Sequence, residues 1–251
     1  MLTKAERRLI RSLKQKKFRD QEGLFVVEGV KMVQEALNSG FCVRSLYTSK
    51  ESIFLEPIQA TLISEQEMSE ISHLTTPSPA LALVEKIKYD FVFAVDKADR
   101  SQLYLGLDAI RDPGNLGTIV RIADWFGIKA IFASVDTVDS YNPKVIQASM
   151  GAIFRVPMYY VELSKIIKEL EIPVWGTALD GKPVYEAQLS SNGIVIIGNE
   201  ANGISPALRE RIDHTLLIPS FPPHSLTSES LNASVAAAII CSEFRRRTFV
   251  S

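Results

Sequence analysis

From Ser101 onward the chain alternates between two periods, with short apolar runs that read as buried strands followed by stretches whose apolar residues recur every three or four positions. The expected strands are Leu103 to Leu107, Ala130 to Ala133, Val174 to Leu179, Ile194 to Ile197 and Thr215 to Ile218. Between them fall helices from about Leu116 to Phe126, Pro143 to Met150, Leu163 to Leu170 and Pro206 to Arg211, and a long last helix runs from Leu231 to about Arg246. Parallel strands need crossovers, which helices supply, so this alternation predicts an α/β fold: a mostly parallel sheet with helices on both faces. At 251 residues and 46% hydrophobic, the chain is long enough for one large core or two modest ones.

A smaller α/β unit is expected ahead of this region. Its strands are Leu24 to Val27, Val43 to Thr48 and Ala80 to Lys86, and its helices are Lys31 to Leu37 and about Glu65 to Ser72. Charges thicken around Phe91 to Val95, which reads as a linker, so the division is 1–90, a linker at 91–101, and 102–251. The formal net charge of -1 conceals a local excess: Lys4, Arg7, Arg8, Arg11, Lys14, Lys16, Lys17 and Arg19 are opposed before Asp20 only by Glu6. If helical, this stretch is either a solvated face or a surface for a phosphate backbone, with Arg7, Arg8, Arg11 and Lys14 the candidate phosphate contacts. It lacks the apolar core of a signal peptide, and Val235 to Cys241 is too short to span a bilayer, so the expectation is a cytoplasmic protein with no membrane partner. Cys42 and Cys241 have no metal-binding spacing and read as buried small hydrophobes, with no disulfide and no metal site.

Three strand-to-helix corners carry the chemistry: Asp112 to Arg121, Ile197 to Gly203, and Ser230 to Ala236. Ligands of open α/β sheets bind outside the carboxyl ends of the strands, so three polar corners suggest one composite site. At the first, Pro113-Gly114 makes a turn and Asn115 suits the cap of the next helix. At ~100° per residue, Leu116, Ile119, Val120 and Ala123 share an apolar face, and Gly117, Thr118, Arg121 and Trp125 lie opposite. A Trp there hints at cover by a ligand or another chain, with a solvated Arg beside an exposed Trp as the alternative. At the second corner, Gly198 permits close approach to the backbone, and Glu200 is either a ligand contact or a first-turn acid favoured by the helix dipole. At the third, Asn232 opens a helix that looks apolar all round and buried, so it needs a partner as cap or as ligand contact.

There is no G-x-G-x-x-G opening an early helix, no P-loop and no nucleophile elbow, so dinucleotide binding, P-loop phosphoryl transfer and elbow-type hydrolysis lose their sequence support. His73, His214 and His224 lack metal-ligand spacing, and none is assigned to catalysis.

Taken in order, Asn115-x-Gly117-x-x-x-Arg121, Gly198-x-Glu200-x-x-Gly203 and Ser230-Leu231-Asn232-x-Ser234-x-Ala236 resemble the three motifs of the SpoU/TrmH-type RNA ribose 2′-O-methyltransferases. The resemblance is strong from Leu105 to about Glu243. It extends loosely to Phe25-Val26-Val27-Glu28-Gly29, which is similar to the small substrate-binding domain, of ribosomal-protein fold, that many members carry. It implies a C-terminal trefoil knot that holds S-adenosylmethionine, a homodimer that completes the site, and methyl transfer to a ribose 2′-hydroxyl of structured RNA, ribosomal ahead of transfer RNA. By motif position, Arg121 would be the main catalytic residue, organised with Asn115, Glu200 and Asn232. Gly198, Ile218 and Leu231 would contact the cofactor largely through the backbone, and Thr177 and Ala178 join them by location at a strand end. The stretch Pro219 to Glu229 is longer than family members commonly have and lacks their glycine, which bears on the shape of the cofactor loop. Two other classes stand beside this reading: a non-catalytic RNA-binding or ribosome-assembly protein with the same fold, and a methyltransferase acting on a small molecule or protein.

Overall fold

The computed structural model describes residues 2–51, 59–87, 98–222 and 230–248. It divides into two compact units, one of Met1–Lys88 with Asp139–Arg155, the other of Tyr89–Val138 with Val156–Ser251. The expected linker falls mostly outside the described residues, as do His224 and the rest of Pro219 to Glu229 beyond Pro222. The segment Asp139–Arg155 groups with the N-terminal unit although it lies inside the 102–251 stretch of the sequence.

The N-terminal unit opens with helices α1 (Lys4–Ser12) and α2 (Lys16–Glu22). Thr3 and Glu6 form a capping box that starts α1, each side chain satisfying the other's backbone amide. Strands β1 (Leu24–Glu28), β2 (Val43–Thr48), β3 (Thr61–Leu62) and β4 (Ala80–Glu85) form a sheet in the order β1-β4-β2-β3. Helices α3 (Val30–Leu37) and α4 (Glu65–Ile71) complete this part, together with a later helix, Pro143–Ser149, from the inserted segment. Ile10, Leu13, Leu24, Met68, Ile71 and Leu81 make one buried cluster.

Polar groups here are consumed internally. Arg19, one of the N-terminal cations expected on a solvated or phosphate-binding face, is instead 2% exposed: its guanidinium donates to Asp139 Oδ2 at 2.6 and 3.0 Å and to the carbonyls of Leu13 and Lys14 at 2.8 and 2.7 Å. A buried guanidinium is tolerated only when its donors are met in this way. Glu28 is buried and accepts from Ser72 Oγ and the His73 amide, both at 2.6 Å; burial raises its pKa against the pull of those bonds. His73 Nε2 donates to the Ile10 carbonyl at 2.8 Å, while its Nδ1 is buried with no partner among the described residues. Cys42 is exposed, contrary to expectation; Cys241 is buried, and burial pushes its thiol up to about 12.

In the second unit, β5 (Leu103–Leu107), β6 (Ile131–Ala133), β7 (Met158–Tyr160), β8 (Val174–Pro183), β9 (Gly193–Ile197) and β10 (His214–Leu217) form a sheet in the order β10-β8-β9-β5-β6-β7. Every neighbouring pair is parallel, as the alternation predicts. β7 was not anticipated: it follows Pro157 and contains two tyrosines, without the wholly apolar run that marks β6. Helices Pro113–Trp125, Leu163–Leu170, Pro206–Arg209 and Ala233–Thr248 belong to this unit. Leu116, Ile119, Val120 and Ala123 are all fully buried, confirming that face of the first helix, but Gly117 is buried too rather than turned outward. The last helix is less enclosed than its apolar run suggested, since Val235 is 47% exposed.

Candidate functional site

A parallel sheet brings its carboxyl ends to one edge, and here the corners that follow β5 and β9 lie side by side on that edge. Asp112, not Asn115, caps Pro113–Trp125: its carboxylate accepts the Asn115 amide at 2.8 Å, and Pro113 occupies the first turn, where its missing N–H costs nothing. That leaves the Asn115 side chain available. Its amide nitrogen donates to Glu200 Oε1, and its oxygen accepts from Asn232 Nδ2 at 2.9 Å. A carboxylate can only accept, which fixes the orientation of the Asn115 amide and hence that of Asn232. Asn232 Oδ1 in turn accepts from the Ser234 amide at 3.0 Å, the Ser234 hydroxyl at 2.6 Å and the Val235 amide at 3.3 Å, so it caps the last helix while holding Asn115. Asn232 is exposed rather than at a buried helix start. One residue from each corner thus joins a single relay, Asn232 to Asn115 to Glu200.

The turn that carries Glu200 is tied down on both sides. Asn199 and Gly203 exchange backbone hydrogen bonds at 3.0 and 2.8 Å, and Gly203 takes the left-handed φ of 66° that closes the turn. At Gly198 a Cβ would stand 2.5 Å from the Ile204 nitrogen and 2.6 Å from the Gly203 oxygen, so only glycine fits. Asn199, not among the expected site residues, donates to the Ala109 carbonyl at 2.9 Å and accepts from the Ala201 amide at 2.9 Å. Asp108, also unforeseen, accepts the Ser205 amide at 2.7 Å. Ala109 sits at φ 56° between them, so the β5 corner is clamped to the β9 corner across an uncommon backbone.

Beside Glu200 opens a cavity of about 730 Å³. Its walls include all five residues expected near a cofactor, Thr177, Ala178, Gly198, Ile218 and Leu231. The sheet explains the position of the first two: β8 pairs with β10 at Trp175 and Gly176, then again only at Lys182 and Pro183, so Thr177 to Gly181 drop out of register. Ile197, Leu216 and Ala236 add apolar wall, and Asp180, Glu200 and Arg209 add charge. Size and mixed lining suit a small organic ligand that is partly apolar and partly charged. Among the described residues no group of three His, Cys, Asp or Glu could hold a metal ion, and no helix is long and apolar enough to cross a membrane.

Arg121 stands apart from the relay. It lies six residues beyond Asn115, which on a helix is ~9 Å along the axis and well round the barrel. Its side chain is exposed and has no hydrogen-bond or ionic partner among the described residues. Four residues on, Trp125 is 82% exposed, and Leu231 is 44% exposed. Of the N-terminal cations, Arg7 is already paired with Glu67 at 3.0 Å and Glu70 at 2.7 Å, whereas Arg8, Arg11 and Lys14 are exposed. The C-terminal Arg245, Arg246 and Arg247 are all engaged: with the Phe126 and Gly127 carbonyls, with Glu243, and with Glu243 plus the carbonyls of Val184, Tyr185 and Ala187.

Comparison with known proteins gives a consistent picture. The profile of the SpoU rRNA Methylase family matches residues 102–242, and that of an MRM3-like substrate binding domain matches residues 7–82. A Bacillus subtilis 23S rRNA (guanosine(2553)-2'-O)-methyltransferase, RlmP, is 33% identical over 243 residues, covering 94% of each chain. Among solved structures, a TrmH-family protein of Porphyromonas gingivalis superposes with a TM-score of 0.86 at 36% identity, covering 98% of this chain and 99% of that one. An AdoMet-bound rRNA methyltransferase of Sinorhizobium meliloti gives a TM-score of 0.86 at 28% identity, covering 98% and 96%.

Proposed function

This chain belongs to the SpoU rRNA methylase family of S-adenosylmethionine-dependent enzymes, and we propose that it methylates a ribose 2′-hydroxyl of ribosomal RNA. The observation that carries the reading is the Asn232–Asn115–Glu200 relay at the rim of a cavity of about 730 Å³. The cavity fits the cofactor in size, and Gly198, where no Cβ has room, lets a ligand lie against backbone. Thr177, Ala178, Gly198, Ile218 and Leu231 would hold it. S-adenosylmethionine, when bound, supplies the methyl group on a sulfonium centre that needs no further activation by the protein.

The protein's part is alignment and charge placement. Glu200, with one oxygen taken by Asn115, keeps its second without a partner among the described residues and can accept from the ribose. Arg121 holds the RNA phosphate and stabilises the developing alkoxide while the hydroxyl gives up its proton to solvent water; a guanidinium stays protonated and is a poor base. Because Arg121 lies away from Glu200 within one chain, a second copy brings it in: the exposed Trp125, Leu231 and Val235 form the homodimer contact. The trefoil knot belongs to this proposal as the way the C-terminal helix returns to the cavity, and the cytoplasm as the location. Residues 1–90 are the RNA-binding domain, joined through 91–101 to the methyltransferase domain at 102–251, with Arg8, Arg11 and Lys14 facing the RNA and Arg7 supporting them from its ion pairs.

The test is transfer of labelled methyl from S-adenosylmethionine to total RNA from cells lacking the protein, with the product mapped to a nucleotide. Arg121→Ala should lose at least about 100-fold in turnover, and Arg121→Lys, which keeps charge but not the fork, about tenfold. Mixing Arg121→Ala with Glu200→Ala chains should restore about a quarter of wild-type activity, since half the dimers are mixed and each mixed dimer rebuilds one of two sites. No restoration in a mixture shown to exchange subunits rules out the shared site.

A further inference from the structure

Arg209 is the one cation among the described residues lining the cavity, and its only described partner is Asp180, on the same wall, at 2.8 Å. The pair is open to water, with side chains 50% and 73% exposed, so it is worth little as a stabilising contact. The two residues are mounted differently. Arg209 ends the helix Pro206–Arg209, which is anchored by buried Leu208 and Ile204 and by the Asp108 bond to the Ser205 amide. Asp180 lies in Thr177 to Gly181, the part of β8 that is out of register with β10. The backbone that carries Arg209 is therefore anchored beside the cavity, while its counter-ion is held only weakly.

We propose that Arg209 is the specificity residue for the α-carboxylate at the amino-acid end of the cofactor, and that Asp180 occupies the guanidinium until that carboxylate displaces it. The inference rests on the cavity being the S-adenosylmethionine site. The chemistry favours the exchange: a planar fork accepts one carboxylate in place of another, and the displaced Asp180 is already largely hydrated. No other Lys or Arg lines the cavity among the described residues, so the carboxylate has no second cationic partner there.

The experiment is titration calorimetry of the full chain with S-adenosylmethionine, with its decarboxylated analogue and with 5′-methylthioadenosine, which lacks the amino-acid end. Arg209→Ala should weaken S-adenosylmethionine about tenfold and leave the other two ligands unchanged, with Arg209→Lys recovering part of the loss. Asp180→Asn should tighten S-adenosylmethionine two- to fivefold, roughly the worth of an exposed pair, with no effect on the decarboxylated analogue. Equal weakening of all three ligands by Arg209→Ala, or no weakening of any, overturns the proposal while leaving the cofactor site intact. Failure of the wild type to bind S-adenosylmethionine at all overturns the underlying reading as well.

Discussion

The N-terminal sheet mixes directions, with β1 and β2 antiparallel to β4 and β3 parallel to β2, whereas the second sheet is parallel in every pair. In the first, β4 runs against the other three strands, so its carboxyl end falls on the opposite edge and the row of corners is interrupted. The first unit's buried polar residues spend their hydrogen-bonding capacity inside it, Arg19 on Asp139 and nearby carbonyls, Glu28 on the Ser72 hydroxyl and the His73 amide. In the second, the corners pile up on one edge, and their polar residues make a relay whose terminal carboxylate faces a cavity. Buried charge is thus a poor guide to chemistry here. The informative groups are the incompletely partnered ones on the aligned edge.

The contrast can be broken most forcibly at Asp139. Asp139→Ala leaves the buried Arg19 guanidinium unpaired and should cost about 3–5 kcal/mol in denaturant unfolding. A loss below about 1 kcal/mol would mean that the pair is wet and that the N-terminal unit does not depend on it.

Gly198→Ala should cost about 1–3 kcal/mol and abolish cofactor binding, because the added methyl meets backbone that cannot step aside. Gly40→Ala in the other unit meets nothing within 4 Å and should be neutral within about 0.5 kcal/mol. Melting curves for the two variants side by side separate a cradle from an ordinary glycine.

The pH response sharpens the comparison further. Burial holds His73 at about 4, below its ordinary 6.5, against the lift from the Ile10 carbonyl, and Lys14 and Arg19 push in the same direction as burial. The unfolded chain therefore takes up a proton that the folded chain refuses. This stability is intact above pH 6.5 and falls as pH drops from 6.5 to 4, with a slope of up to about 1.4 kcal/mol per pH unit. His73→Gln should flatten unfolding free energy across that window; an unchanged slope would assign the acid sensitivity elsewhere. Smallest of all, Asn232→Ala should cost about 1 kcal/mol as a lost cap, and turnover should fall further than that stability loss explains.

Much of this was readable from residues alone where period and punctuation agree. Leu103 to Leu107 and Leu163 to Leu170 match the observed elements, and the three corners hold the polar residues that meet. The misreadings have a common cause: composition reports what a residue can do, and packing decides what it does. Arg19 looked solvated because its partner Asp139 is 120 positions away. Val235 looked buried because its run is apolar, yet only part of the helix circumference has a neighbour. Asn115 looked like a cap until Asp112, one turn earlier, took that place. Arg209 and Asp180 carry no motif: the register jump in β8 brings Asp180 to the cavity wall, and the helix Pro206–Arg209 brings Arg209 there.

The insertion of Asp139–Arg155 into the N-terminal unit also sets an order of assembly. A chain synthesised at about 5–20 residues per second presents Asp139 roughly 6–24 s after Arg19, and in that interval the guanidinium has no acid to close on. The first unit to emerge therefore stays incomplete while β5, the helix Pro113–Trp125 and β6 are synthesised, and it is whole only once Arg155 is made, before β7 to β10 exist. An N-terminal fragment ending near residue 88 would carry the same gap permanently.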